Sequence, residues 1–162
     1  MAEMSADGVS SVSVQREPFD VGAEIAAIAA GRPAIGAVAS FVGLVRELPG
    51  CATGLSAMTL EHYPGMTEKA LEDIVGQARE RWQLHGVRVI HRVGRLSPGD
   101  AIVLVVAACA HRGEAFAACE FIMDYLKTRA PFWKKEETQE GESWVDARET
   151  DDAAAARWDR TT

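Results

Sequence analysis

Cysteine is scarce in this chain and forms no framework. The three residues, Cys51, Cys109 and Cys119, are odd in number and include no Cys-x-x-Cys pair. A disulfide scaffold and a structural zinc site are therefore unsupported, and a reducing, cytoplasmic setting is the natural expectation. Long apolar runs are missing as well. The longest, from Ala101 to Ala110, is too short to cross a bilayer, so no membrane association is expected. The opening MAEMSADGVSSVS lacks a basic stretch followed by an apolar one and so does not read as a signal peptide; residues 1–12 read as a short mobile leader. Basic residues are in deficit: the formal net charge is −7 and the pI is about 5.1. This argues against general nucleic-acid binding through a basic surface. The chain also has no P-loop, no G-x-G-x-x-G after a strand, no G-x-S-x-G and no H-E-x-x-H, which argues against nucleotide use and against a metalloprotease or hydrolase.

What remains is a single-domain pattern. The chain has 162 residues, 48% of them hydrophobic and 25% charged, enough for a sizeable core under an ordinary soluble surface. Asp20 caps an expected helix over Val21–Ala30, ended by Gly31 and Pro33. Residues 35–46 and 57–63 read as strands, separated by a loop over 47–56 that holds Pro49, Gly50 and Gly54. Pro64-Gly65 opens a helix over 66–83, with Ala70, Leu71, Ile74, Val75, Ala78 and Trp82 at helical spacing. Residues 86–93 alternate as a strand, with Val87, Val89, His91 and Val93 on one face. After the turn Ser97–Asp100, residues 101–110 are apolar on both faces, the mark of a central strand covered on both sides. A helix from Gly113 to Arg129 carries Phe116, Cys119, Met123 and Leu126 as its apolar stripe, and Pro131 stops it. Residues 132–137 and 143–148 read as late strands joined by a turn at Gly141, and the Ala- and Asp-rich tail 149–162 as frayed or helical. The expected class is α+β, with a mostly antiparallel sheet and helices packed on it, and one domain over residues 13–148.

The chemistry stands out as local positive charge in an acidic protein. Lys127, Arg129, Lys134 and Lys135 fall in a span without an acid. His111 and Arg112 lie where the central strand gives way to a helix; a helix start presents unpaired N–H groups and partial positive charge, a seat for an anion. Arg46 and Arg148 end strands and could face the same region. Each also has a bland reading. A lysine in a last helical turn suits the dipole while solvated, a strand-end arginine is commonly a surface cation, and His111 could be a satisfied histidine. Of Lys134 and Lys135, adjacent on a strand, only one can face a pocket. His111 and Glu114 lie three apart, but no third ligand is evident and no metal site is expected. Cys109 and Cys119 fall on buried faces; Cys51, in a loop, is the one with easy access.

Several longer strings resemble one family. SFVGLVRE (40–47), LEHYPGMTEKAL (60–71), HRVGRLSPGD (91–100), AHRGEAF (110–116), CEFIMDYLKTRAPFWKKE (119–136) and WVDAR (144–148) are similar to the catalytic, large subunit of molybdopterin synthase, in order and over roughly Val12–Arg148. The resemblance implies an α/β-hammerhead-type fold. It implies a homodimer within a heterotetramer, with a small ubiquitin-like sulfur carrier at each far end presenting a C-terminal Gly-Gly thiocarboxylate. The implied substrate is cyclic pyranopterin monophosphate (precursor Z), which receives two sulfurs in succession; no cofactor is implied. The family's pocket lysines match Lys127 and Lys134. Its anion-binding groups match Arg46, His111 and Arg112, the last two contributed across the dimer interface. Phe41, Met123 and Arg148 match further positions near the pocket.

The charges fit that chemistry. Bringing an anionic donor tail to an anionic substrate costs on the order of 4 kcal/mol at about 4 Å with an effective dielectric near 20, which clustered cations would offset. Two rival readings are a non-catalytic dimeric module that binds the carrier tail and an anion, and a different phosphate-handling enzyme; the paired lysines count against the first, and the missing P-loop and metal set against the second.

Overall fold

Residues 9–47, 55–138, 141–145 and 149–160 are described by the computed structural model. In chain order the elements are β1 (Val9–Gln15), α1 (Val21–Ala29), β2 (Ala37–Leu44), β3 (Leu55–His62), α2 (Met66–Arg81), β4 (Gly86–Arg92), β5 (Gly94–Leu96), β6 (Ala101–Cys109), α3 (Arg112–Arg129), β7 (Phe132–Thr138), β8 (Gly141–Val145) and α4 (Glu149–Ala156), followed by a 3-10 turn over Arg157–Arg160. The strands form two four-stranded sheets, ordered β1-β4-β6-β2 and β5-β3-β7-β8. Only β1 with β4 is parallel; the other described pairs are antiparallel. The class is α+β as the periodicities predict, with the strands divided between two sheets.

The apolar run of β6 explains the first sheet. Val103 through Cys109 are each at most 2% exposed. Val103, Val105, Ala107 and Cys109 join a core with α2 and α3, while Leu104, Val106 and Ala108 join a second core with Ile28 and partly buried neighbours around α1. A strand covered on both faces gains from apolar side chains at every position. β2 enters against the end of β6 through Gly36, whose N–H donates to the Cys109 carbonyl at 2.9 Å. A Cβ at Gly36 would lie 2.2 Å from the Ala110 carbonyl oxygen, so no side chain fits. Helix starts follow local chemistry: the Asp20 carboxylate accepts from the Ala23 N–H at 3.0 Å, and Glu68 reaches back to accept from the Gly65 N–H at 2.6 Å.

The two sheets meet at a seam. Val45 and Ile102, from the end of the first sheet, pack with Met58, Leu60 and Leu96 of the second. The chain crosses between sheets at Val93–Gly94, where Gly94 has φ +90° and the Arg16 guanidinium lies 2.9 Å from where its Cβ would be. Only glycine takes this conformation without strain.

Three features depart from the sequence pattern. Residues 9–12, within the span expected as a leader, belong to β1; its serines hide the strand, and Val12 and Val14 pack on the core. Phe116, expected on the buried stripe of α3, is 65% exposed, whereas Cys119, Met123 and Leu126 are buried as the stripe predicts. In the tail, Trp158 packs edge-on against Trp82 and Phe121 and donates to the Asp124 carboxylate at 2.7 Å. Cys51, most of the 47–56 loop and Arg148 lie outside the described residues.

Candidate active site at the seam of the two sheets

The site begins where α3 hands over to β7. Lys127 sits in the last turn of α3. The Ala130 N–H donates to the Leu126 carbonyl at 3.3 Å and the Phe132 N–H to the Ala130 carbonyl at 3.0 Å, so the chain turns sharply at Pro131. β7 then pairs with β3, with Phe132 opposite His62, Lys134 opposite Leu60 and Glu136 opposite Met58. Directly paired residues share a face. Phe132, Lys134 and Glu136 therefore lie on the side of the second sheet that carries Leu60 and Met58, toward the seam. Lys134 is half-buried, its Nζ 3.8 Å from Glu136 Oε1. Lys135 faces the other way, 3.1 Å from Glu142 and over the Trp144 ring.

His91, on β4, anchors this corner. It is 4% exposed and stacks on Phe132, with ring centroids 3.8 Å apart and planes 18° from parallel. Its Nδ1 lies 2.8 Å from the Arg92 carbonyl oxygen. Burial pushes its pKa down to about 4; the bond to Arg92 opposes this, and electrostatic repulsion from Lys127 and His62 adds to it. The ring is thus neutral at pH 7, with its proton on Nδ1, because a carbonyl only accepts. His62 in turn lies 3.6 Å from Glu68. Thr67, fully buried, accepts from the Tyr63 N–H at 3.0 Å and donates to the Pro131 carbonyl at 3.1 Å.

His91 is thus the centre of this corner: Phe132 stacks on it, Lys127 and His62 act on it electrostatically, and Lys134 lies two residues past Phe132 on the same face. A cleft of about 440 Å³ adjoins His62, lined by Arg16, Leu60, Glu61, His62, Gly94 and Arg95 among others; neither Lys127 nor Lys134 is among its lining residues. Met123 lies one helical turn before Lys127 and is buried. Phe41 is on the α3 side of β2, in line with Ala37 and Ala39, and is 42% exposed. Arg46 is exposed and follows Val45, which packs into the seam. His111 and Arg112 are not part of this corner within one chain. They stand exposed at the opposite end of α3, roughly 24 Å from Lys127 at 1.5 Å of rise per residue. His111 occupies the N-cap position without a side-chain capping bond.

The corner offers two amines from different elements, able to oppose negative charge and to move protons, over a neutral aromatic floor. The two described cysteines are not nucleophiles at neutral pH. Burial pushes both thiols up to about 11, aided at Cys109 by Glu114 and at Cys119 by Glu120. His91, His62 and Thr67 are residues beside the candidate site that charge clustering does not reveal; the signal for His91 is a titratable ring on an otherwise apolar stripe with Val87 and Val89. Among the described residues no group of three or more His, Cys, Asp or Glu side chains is gathered as a metal would require, and no helix is long and apolar enough to cross a membrane.

Fold and site together define an α+β protein of the α/β-hammerhead type with lysines from α3 and β7 near the junction of its sheets. Residues 14–129 match the family described as MoaE protein. A curated relative from Ralstonia nicotianae, the molybdopterin synthase catalytic subunit, is 65% identical over 91% of this chain and 84% of its own length. The solved molybdopterin biosynthesis MoaE protein from Burkholderia ambifaria superposes with a TM-score of 0.80 at 58% identity, covering 93% of this chain and 99% of that one. A protein–protein complex of subunits 1 and 2 of molybdopterin-converting factor from Helicobacter pylori shares the fold, with a TM-score of 0.70 at 19% identity over 85% of this chain and 91% of that one. The chain belongs to the MoaE family, the catalytic subunits of molybdopterin synthase.

Proposed function

We propose that this chain is a sulfurtransferase, moving two sulfurs in succession from the C-terminal thiocarboxylate of a small ubiquitin-like carrier to precursor Z and so forming the dithiolene of molybdopterin. The observation that carries this reading is that the His91–Phe132 stack lies within electrostatic reach of Lys127 from α3, while Lys134 stands two residues past Phe132 on the same face of β7. Family membership supports the substrate and the donor, and a two-subunit complex with this fold in Helicobacter pylori supports the partner.

In this reading Lys127 meets the carrier's terminus and orients the thiocarboxylate. The sulfur adds to a substrate carbon, and water later releases the carrier as a carboxylate. Lys134 acts as general acid or base during sulfur addition and opening of the cyclic phosphate. Arg46, with His111 and Arg112 of a second copy, holds the phosphate, the arginines through forked hydrogen bonds. Phe41 and Met123 contribute to the pocket wall, and the family resemblance adds Arg148 as a substrate-binding residue. The assembly is a homodimer carrying two carriers, working in the cytoplasm. Sulfur comes from outside the chain, in keeping with the raised thiol pKa values of Cys109 and Cys119.

The test is conversion of precursor Z by this chain mixed with a carrier ending in a Gly-Gly thiocarboxylate, followed by mass spectrometry. The expected product contains two added sulfurs. Binding of both reactants without any product would replace this reading with that of a docking module, and loss of transfer in Cys51→Ser with an intact carrier would overturn the external source of sulfur.

A further inference from the structure

The segment that joins the two lysines is held from both sides by buried polar residues with no role in the chemistry just described. Lys127 and Lys134 are separated by a short connection that turns at Pro131 and enters β7 at Phe132. On one side, Thr67 of α2 links two turns through a single hydroxyl: it accepts from the Tyr63 N–H at 3.0 Å and donates to the Pro131 carbonyl at 3.1 Å. On the other side, the His91 ring lies flat on Phe132 at 3.8 Å, and its Nδ1–H is fixed on the Arg92 carbonyl at 2.8 Å. Thr67 is 0% exposed and His91 4%. A buried hydroxyl satisfied as both donor and acceptor has one orientation, and a ring both stacked and hydrogen-bonded has little freedom to rotate.

We infer that Thr67 and His91 form a clamp on Pro131–Phe132 that sets the separation and facing of the Lys127 and Lys134 amines; both are positioning residues that act through the lysines. The inference rests on the reading of those lysines as the working groups. It follows from geometry because the hydroxyl bond fixes the end of the α3 turn, while the stack fixes the first residue of β7, two positions before Lys134 and on the same face. Small displacements of reacting groups cost rate far more than they cost binding.

The test uses the whole chain, labelled with ¹³Cε-lysine. The sequence has four lysines, Lys69, Lys127, Lys134 and Lys135, so each side chain gives its own NMR signal, assigned by Lys→Arg substitution. Thr67→Val keeps the shape and removes the hydroxyl; Thr67→Ser keeps the hydroxyl. In Thr67→Val the Lys127 and Lys134 signals move while that of Lys135, on the outer face, stays. Turnover of precursor Z falls about tenfold in kcat with KM within about twofold, the split expected of misplaced groups. Thr67→Ser restores both signals and kcat. Unmoved signals with normal kcat in a folded Thr67→Val would overturn the clamp, and so would failure of serine to rescue, which would make Thr67 a packing residue. Should Thr67→Val not fold, His91→Leu removes the stacked face from Phe132 at an independent position and is read the same way, with moved signals supporting the clamp and unmoved ones overturning it. If the unaltered chain converts no precursor Z, the functional reading fails, and the lysine signals alone decide the clamp.

Discussion

Lys127 and Lys134 differ in what surrounds them, and each is expected to fail differently. Lys134 is half-buried beside Glu136 on the seam face; Lys127 ends a helix and its charge is felt by buried His91. Lys134→Ala is expected to lower the single-turnover rate about 10²- to 10⁴-fold, the usual range for a lost general acid or base. Lys127→Ala is expected to lower the rate with thiocarboxylated carrier and to weaken carrier binding by calorimetry; near-normal turnover in either variant removes that residue from the mechanism. His91 gives a prediction about stability. Its folded pKa of about 4 lies below the ordinary 6.5, so between these values the unfolded chain takes up a proton that the folded chain refuses. Stability is unaffected by this group above pH 6.5 and is lost as pH falls toward 4, by about 3 kcal/mol in all. Lys127 of α3 and titratable His62 of β3 face the ring, with apolar Phe132 stacked on it from β7 and Val103 beside it on β6. Urea unfolding at pH 7 and pH 4.5 is expected to show a smaller difference in His91→Phe than in the unaltered chain; an equal difference would place the effect elsewhere. The lysines were legible in the sequence because charge in an acid-free span is a local signal. Thr67 and His91 were not, because what makes them matter is contact across the fold: Thr67 meets Pro131 at a separation of 64 residues.

Among the elements, two glycines decide how strands are joined, and the two differ in what a side chain would meet. Gly94→Ala strains a backbone at φ +90° and presses on the mobile end of Arg16, costing about 1–3 kcal/mol. Gly36→Ala drives a methyl into a backbone carbonyl at 2.2 Å, which cannot swing away, and is expected to lower Tm by more than Gly94→Ala does. The opposite order in thermal unfolding would contradict this account of the strand junctions. The C-terminal segment is the other structural determinant. Trp158→Ala removes a ring packed on Trp82 and Phe121 and is expected to cost about 3 kcal/mol, near the lower end for a large aromatic because the ring is only partly buried; denaturant titration measures it. Helical period and the two-faced apolar run of β6 make α2, α3 and β6 readable from sequence. Sheet membership is not readable that way, since alternation fixes which face a side chain takes but not which strand lies beside it. Even β5 is marked by little more than Gly94, and β1 by valines diluted with serine.

For the whole molecule, distance is the governing fact. His111 and Arg112 cannot join Lys127 within one chain, with most of the length of α3 between them. If they serve the same substrate, a second copy must supply them, and the site is complete only in an assembly. This arrangement would let a protein of net charge −7 concentrate cations where two anions meet while the rest of its surface stays acidic, and an accompanying loss of rate with added salt is expected where those charges are exposed. The most direct measurement is subunit mixing. His111→Ala and Lys127→Ala chains, each impaired alone, are unfolded together, refolded as a mixture and assayed with precursor Z and thiocarboxylated carrier. The account predicts that activity returns in the mixture, because half of the mixed dimers' sites pair an intact His111 from one chain with an intact Lys127 from the other. Mixed dimers verified by mass that remain as inactive as the two parents would contradict it.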